Sequence, residues 1–299
     1  MKTMLKIMLN ATVVASSLVL LSSCAQNGSP TVGNSALAGN IVGGKASSVR
    51  FQKDNGIVAL IIITEEGQGI CTGTLIAPQL VLTAGHCLDG SRSPIKHVVA
   101  VFSNDINVEI KKEQTRLGVK ATIHPDFLEN AMFGAASWSD VALLKLDSPA
   151  PADFKVARLP KGDNLTPAGA KLVQAGFGKT EAADSATADT TGILRQVSGI
   201  KILEKSADGK ELKLDEATKG SCKGDSGGPA FVRERDGKYT LVGTDSRGAG
   251  HDSCIGVGIY TNVASHLEWI AKQSELLMAT AAATSPAPAT PVPSAPAAD

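Results

Sequence analysis

From about residue 41 onward, apolar residues come in short bursts rather than long stripes. The runs Gly56–Ile63, Leu80–Thr83, His97–Phe102, Val141–Leu146, Lys171–Phe177, Tyr239–Gly243 and Val257–Val263 are rich in Val, Ile and Leu. Gly, Pro, Asn and Asp punctuate the gaps between them. Many short β-favouring runs separated by turn residues predict an all-β sandwich or barrel. Helical spacing is weak until the end of this region. There His266 through Met278 reads as one helix, with Leu267, Ile270 and Leu277 as its packing residues.

The texture changes at both ends. Lys2 and Lys6 precede a mostly apolar stretch, Ile7 to Leu21, broken by Asn10, Ser16 and Ser17. That run is too short and interrupted for a spanning helix, and residues 1–23 are predicted to be a signal peptide. Leu21-Ser22-Ser23-Cys24 then resembles the bacterial lipobox. The resemblance implies a lipid on Cys24, which anchors the unprocessed chain to a membrane. With Ala25 next rather than Asp, it implies the outer membrane of a Gram-negative envelope. An ordinary signal peptide that contains a Cys would look the same. Residues 24–40 have a flexible-linker composition and read as a lipidated linker or propeptide. Residues 279–299 are nearly all Ala, Pro, Thr and Ser, which cannot bury a core. They are expected to be a solvated tail beyond the end of the helix, or else to dock to a cell wall.

Composition narrows the function. Of 299 residues, 43% are hydrophobic and 19% charged, and Lys+Arg equals Asp+Glu at 29 each. That balance gives no reason to expect a nucleic-acid partner, and 4% aromatics argues against base-stacking platforms. The five cysteines are Cys24, Cys71, Cys87, Cys222 and Cys254. With Cys24 lipidated an even four remain, which allow three pairings. Export to an oxidising compartment favours disulfides, and no spacing fits a CxxC zinc site. No metal or other cofactor is expected. Gly178-Lys179-Thr180 briefly suggests a phosphate loop, but the glycine needed at 173 is Val173.

Gly224-Asp225-Ser226-Gly227-Gly228-Pro229 is the most informative segment. Glycines on both sides let a serine sit exposed on a tight turn. They also let the N–H groups of Gly224 and Ser226 face an oxyanion, where loss of one donor costs about 3 kcal/mol of barrier. A serine hydroxyl needs a base with a pKa near neutral, which means His. Of five histidines, only His86 follows an apolar strand and precedes a Cys able to fix its loop, in Leu82-Thr83-Ala84-Gly85-His86-Cys87. The imidazole in turn needs an acceptor. Asp140 stands at the mouth of the apolar strand Val141–Leu146, where a carboxylate is poorly solvated and wants a partner.

The order His86, Asp140, Ser226, with the motifs around each, resembles the chymotrypsin/trypsin family. Ile41-Val42-Gly43-Gly44 is similar to that family's processed N-terminus. The resemblance covers residues 41–270 and implies two packed antiparallel six-stranded Greek-key barrels, about 41–155 and 156–265, then a C-terminal helix. It implies a monomeric serine endopeptidase acting on proteins or peptides. It pairs Cys71 with Cys87 and Cys222 with Cys254. It also implies that cleavage before Ile41 frees an amine that pairs with Asp225; with lipid on Cys24 and no disulfide tethering residues 24–40, that cut is expected to release the enzyme from its anchor. Asn40 precedes that bond rather than Lys or Arg, so no trypsin-like activator is expected. By the same resemblance, Gly220, Ser221, Gly248 and Gly258 line the specificity pocket. Without an Asp at Gly220, they suggest an uncharged slot for an apolar or aromatic residue. A non-catalytic binding protein on the same scaffold is the alternative; such proteins usually lack one of the three residues, and none is missing here.

Overall fold

The computed structural model describes residues 41–91, 93–127, 138–180, 190–249 and 254–279. The expected signal peptide, Cys24, the 24–40 linker and the tail from residue 280 lie outside them.

Six strands close a first antiparallel barrel: β2 (Ile57–Thr64), β3 (Gln68–Ala77), β4 (Leu80–Thr83), β5 (Ile95–Val101), β6 (Thr115–Ile123) and β7 (Ala142–Leu146). They run β2-β3-β4-β7-β6-β5, and β5 pairs back with β2. A second six close likewise: β8 (Lys171–Gly176), β9 (Arg195–Lys205), β10 (Glu211–Glu216), β11 (Pro229–Arg233), β12 (Tyr239–Ala249) and β13 (Gly256–Asn262). Their order is β9-β10-β13-β12-β11-β8, closed by the β8–β9 ladder. The short β1 (Lys45–Ala46) pairs with β9, so residues at the start of the domain join the second barrel's sheet.

Side-chain alternation explains why some strands read as unbroken apolar runs. On β2, Val58, Leu60 and Ile62 fill the first barrel with Leu75, Val81 and Leu144. The intervening Ile57 and Ala59 face a separate core, shared with Leu82, Leu143, Ala175, Phe177 and Phe231 from both barrels. A strand buried on both faces cannot alternate with polar residues. The second barrel's interior is built by Leu172, Val197, Ile200, Leu212, Leu214, Val242 and Tyr260.

Strands β3, β6, β9, β10 and β11 escape the sequence pattern. One face of β9 and β10 is wet, and charged residues such as Lys201, Lys213 and Asp215 break their runs. Strand β6 is nowhere fully buried. The six-residue helix α1 (Val49–Asp54), capped by Ser48 Oγ accepting from Phe51 N, is too short to show a period.

The C-terminal helix α2 (Leu267–Ala279) starts from a tight turn capped by Asn262, whose side chain accepts from Ala264 N. It buries Ile270 and Leu277 in the core between the barrels, and Leu267 packs half-buried beside them. The buried Lys145 of β7 donates to the Leu277 carbonyl at 2.7 Å. Both disulfides are formed, Cys71–Cys87 and Cys222–Cys254.

Candidate active site

Strand β4 ends at Thr83, and the chain tightens into one turn over Gly85–Cys87 that carries His86. A glycine at 85 matters sterically, because a Cβ there would press within 3.1 Å of Asp140 Oδ1, Ile123 and Phe127. His86 holds Asp140 twice: its backbone N donates to Oδ1 at 2.9 Å, and Nδ1 lies 2.7 Å from Oδ2. Ser246 Oγ, from β12, donates to the same Oδ2 at 2.7 Å. Thr261 Oγ1 donates to the Asp140 backbone carbonyl.

Asp140 is 1% exposed. Burial pushes its carboxyl up, but the His86 bond and charge, with Ser246 and the His86 amide, outweigh this and hold it below the usual value. Burial likewise lowers His86, and the Asp140 bond and charge overcome it, leaving the imidazole above 6.5.

Ser226 stands on the loop between β10 and β11, where Gly224 and Gly227 both take positive φ, 100° and 78°. Gly227 is wedged against the first barrel: a Cβ would overlap Thr83 Oγ1 and the Thr72 carbonyl. Thr72 N donates to Ser226 O at 2.8 Å across the same seam. The N–H groups of Asp225, Gly227 and Gly228 are taken by Cys222 O, Asp245 O and Asp225 O. Among the described residues, no backbone carbonyl takes those of Gly224 and Ser226.

The His86 ring and the Ser226 backbone both border the first disulfide. Cys87 Sγ is 3.8 Å from His86 Nε2 and 3.6 Å from Ser226 O. No hydrogen bond between Ser226 Oγ and His86 Nε2 is formed among the described residues; such bonds often close only around substrate.

Beside Ser226 opens a cavity of about 240 Å³, whose lining includes Glu216, Ser221, Asp245, Arg247, Gly248 and Ile255. Arg247 is fixed in its wall, with Nη1 2.7 Å from Glu211 Oε1 and its guanidinium 4.8 Å above the Trp138 ring.

The family model for Trypsin matches residues 41–270. This chain belongs to the trypsin family. Kallikrein-11 of Homo sapiens is 28% identical over 251 residues, covering 79% of this chain and 83% of that protein.

This trypsin-family chain departs from expectation at its pocket. Ser221 and Gly248 line it, but Gly220 and Gly258 do not. Both glycines are covered by one side chain: a Cβ on either would overlap the Glu216 carboxyl group. The pocket's lining also carries the Glu216 and Asp245 carboxyl groups. The space two glycines leave empty is filled from the neighbouring strand. Sequence reasoning missed both acids, and it missed Ser246 as a partner of Asp140. A carboxylate beside Ser246 within the apolar β12 was the available signal.

Asp225 is buried beneath the Ser226 loop, where it accepts from Gly178 N at 2.7 Å and Cys222 N at 2.9 Å. Burial pushes it up to about 7, against those two amides and the charge of Arg195. The structure does not join it to Ile41, whose nitrogen is an amide in the continuous chain. Ile41 is itself 1% exposed and packs with Leu172 and Val197, while Val42 bridges to Gly220.

Proposed function

We propose that this protein is a serine endopeptidase in which Ser226 is the nucleophile, His86 the general base and acid, and Asp140 the group that orients it. The observation that carries the reading is Asp140 gripping His86 through both backbone and ring while His86 Nε2 faces the Ser226 loop across one disulfide. His86 takes the Ser226 proton as Oγ attacks the substrate carbonyl, and Asp140 stabilises the imidazolium. The N–H groups of Gly224 and Ser226 receive the oxyanion. The proton then passes to the leaving amine, and water resolves the acyl-enzyme.

Cleavage of Asn40–Ile41 is part of the reading. Ile41 holds φ at 55°, a conformation strained for a β-branched residue. Cutting the preceding bond abolishes that dihedral and creates an amine that could reach Asp225, a buried carboxylate needing a counter-charge. With lipid on Cys24 and an even disulfide set beyond residue 41, the same cut frees the domain from an envelope membrane. Two disulfides and a family of proteases acting on proteins fit an exported location.

An organophosphate should label Ser226, and Ser226→Ala should abolish both labelling and peptide hydrolysis. His86→Ala should lower kcat by roughly 10⁴-fold or more. A processed chain that neither labels nor cleaves any peptide would instead mark a binding protein on a protease scaffold. For processing, immunoblots of membrane and soluble fractions should find mature enzyme only in the soluble one.

A further inference from the structure

The guanidinium of Arg247 has three neighbours, and one of them leads to the Asp140–His86 pair. Arg247 follows Ser246 on β12, where the ladder with β13 slips: Asp245 faces Tyr260 and Arg247 faces Ile259, so Ser246 is the extra residue of a bulge. Successive side chains of a regular strand point to opposite faces, and a bulge re-aims them. Here the two side chains meet, with Arg247 Nη1 donating to Ser246 Oγ at 3.2 Å. The same nitrogen donates to Glu211 Oε1 at 2.7 Å, and the guanidinium carbon lies 4.8 Å from the centre of the Trp138 ring.

Glu211 opens β10 and is 2% exposed. A carboxylate so buried needs a cation and further donors. Arg247 supplies the first, and Trp138 N donates to the same oxygen at 3.0 Å. The far end of a long side chain is thus braced by one strand and by the segment that leads to Asp140. Ser246 sits between Arg247 and Asp140. Its hydroxyl has one proton to give and lone pairs to receive. With an Arg247 N–H on a lone pair, the proton is left for Asp140 Oδ2, 2.7 Å away. That is the oxygen His86 Nδ1 meets, also at 2.7 Å. Hydrogen bonds in series polarise one another, so a hydroxyl that accepts from a cation is a stronger donor.

We propose that Arg247 is a positioning residue of this site: braced by Glu211 and Trp138, it fixes the Ser246 hydroxyl on Asp140 and so acts on the Asp140–His86 pair. The inference rests on the reading of His86 as general base. The charge of Arg247 bears on that base as well. Asp140 and Asp89 favour the charged imidazole, whereas burial and Arg247 disfavour it. Cys87, beside the ring, is held in a disulfide and does not titrate. Loss of Arg247 should therefore let His86 bind its proton more tightly. A loosened Ser246 bond leaves Asp140 a better acceptor for the imidazolium, which works in the same direction.

Arg247→Met alone would strand Glu211 as a buried ion, so the test pairs it with Glu211→Gln, which removes both charges and keeps the volume. Arg247→Gln with Glu211→Gln, a polar neutral pair, is the second variant and should behave likewise. The His86 ring is titrated by NMR in the full chain, which requires no activity. Its proton affinity should rise about threefold or more over the parent. In the chain cleaved before Ile41, the acid limb of kcat/KM should move to higher pH with it, and kcat above that limb should fall about threefold or more. In a Ser246→Ala background the same pair should lower kcat by less than about twofold, because the path is already cut. An unmoved His86 titration in folded variants overturns the inference, and so does a kcat loss as large without Ser246 as with it. Either result leaves the protease reading standing if an organophosphate still labels Ser226. If Ser226 fails to label, the protease reading falls and the NMR titration alone decides: a tighter proton supports Arg247 as the group that sets the pair, and an unchanged one overturns it.

Discussion

Three donors converge on the Asp140 carboxylate, from His86 N, His86 Nδ1 and Ser246 Oγ. With His86 as the proposed general base, their combined effect sets the acid limb of activity. His86 must be neutral to accept a proton, and its pKa is raised, so kcat/KM should fall as pH drops through a value above 6.5. Ser246→Ala removes one charge-assisted bond, worth about 1.5 kcal/mol, and should cost roughly tenfold in kcat while leaving KM near its starting value. Glu216 offers a separate pH test. Its carboxyl is pushed by burial from 4.5 to about 7, so the folded chain holds that proton more tightly than the unfolded one. Stability from this group is complete below 4.5 and is lost as pH rises toward 7. Relative to the parent, Glu216→Gln should gain stability across that window, on the order of 3 kcal/mol, read from urea midpoints at pH 4.5 and 8. The residues that act through local motif, Ser226 between its glycines and His86 before Cys87, are legible in sequence. Glu216 and Asp245 are not, because they meet only through the register of a third strand. Glu216 faces Gly256 of β13 on one side, and Asp245 faces Tyr260 of the same strand on the other.

At the scale of elements, legibility follows burial. Strands covered on both faces, such as β2, β4 and β7, show in the sequence as solid apolar runs. Strands with a wet face do not, and β11, five residues opening on Pro229, offers too little pattern to separate from its loop. Helix α2 is legible from its spacing, and its energetics are testable. Ile270→Ala should cost about 2–5 kcal/mol, since the side chain is 2% exposed and sits where both barrels meet. Lys145→Met should cost about 1 kcal/mol by removing its hydrogen bond to the Leu277 carbonyl. Both losses are read as lower urea midpoints.

Across the whole molecule, the two disulfides serve different ends. Cys71–Cys87 lies between His86 and Ser226, whereas Cys222–Cys254 ties two walls of the cavity. Replacing Cys222 and Cys254 by Ser should therefore lower kcat/KM on peptide substrates even at temperatures where the urea midpoint shows the chain still folded, with a stability cost of about 2–5 kcal/mol. The pairing of barrels also depends on chain order. Helix α2 ends the described domain, yet it inserts Ile270 and Leu277 into the core both barrels share and binds Lys145 in the first. A polypeptide emerging from its N-terminus can build the first barrel early, but the core it shares with the second barrel lacks Ile270 and Leu277 until the final turns appear. Proteolytic competence would thus be withheld until synthesis is complete, and a truncated product ending before Leu267 would be a poor enzyme even with all three of His86, Asp140 and Ser226 in place.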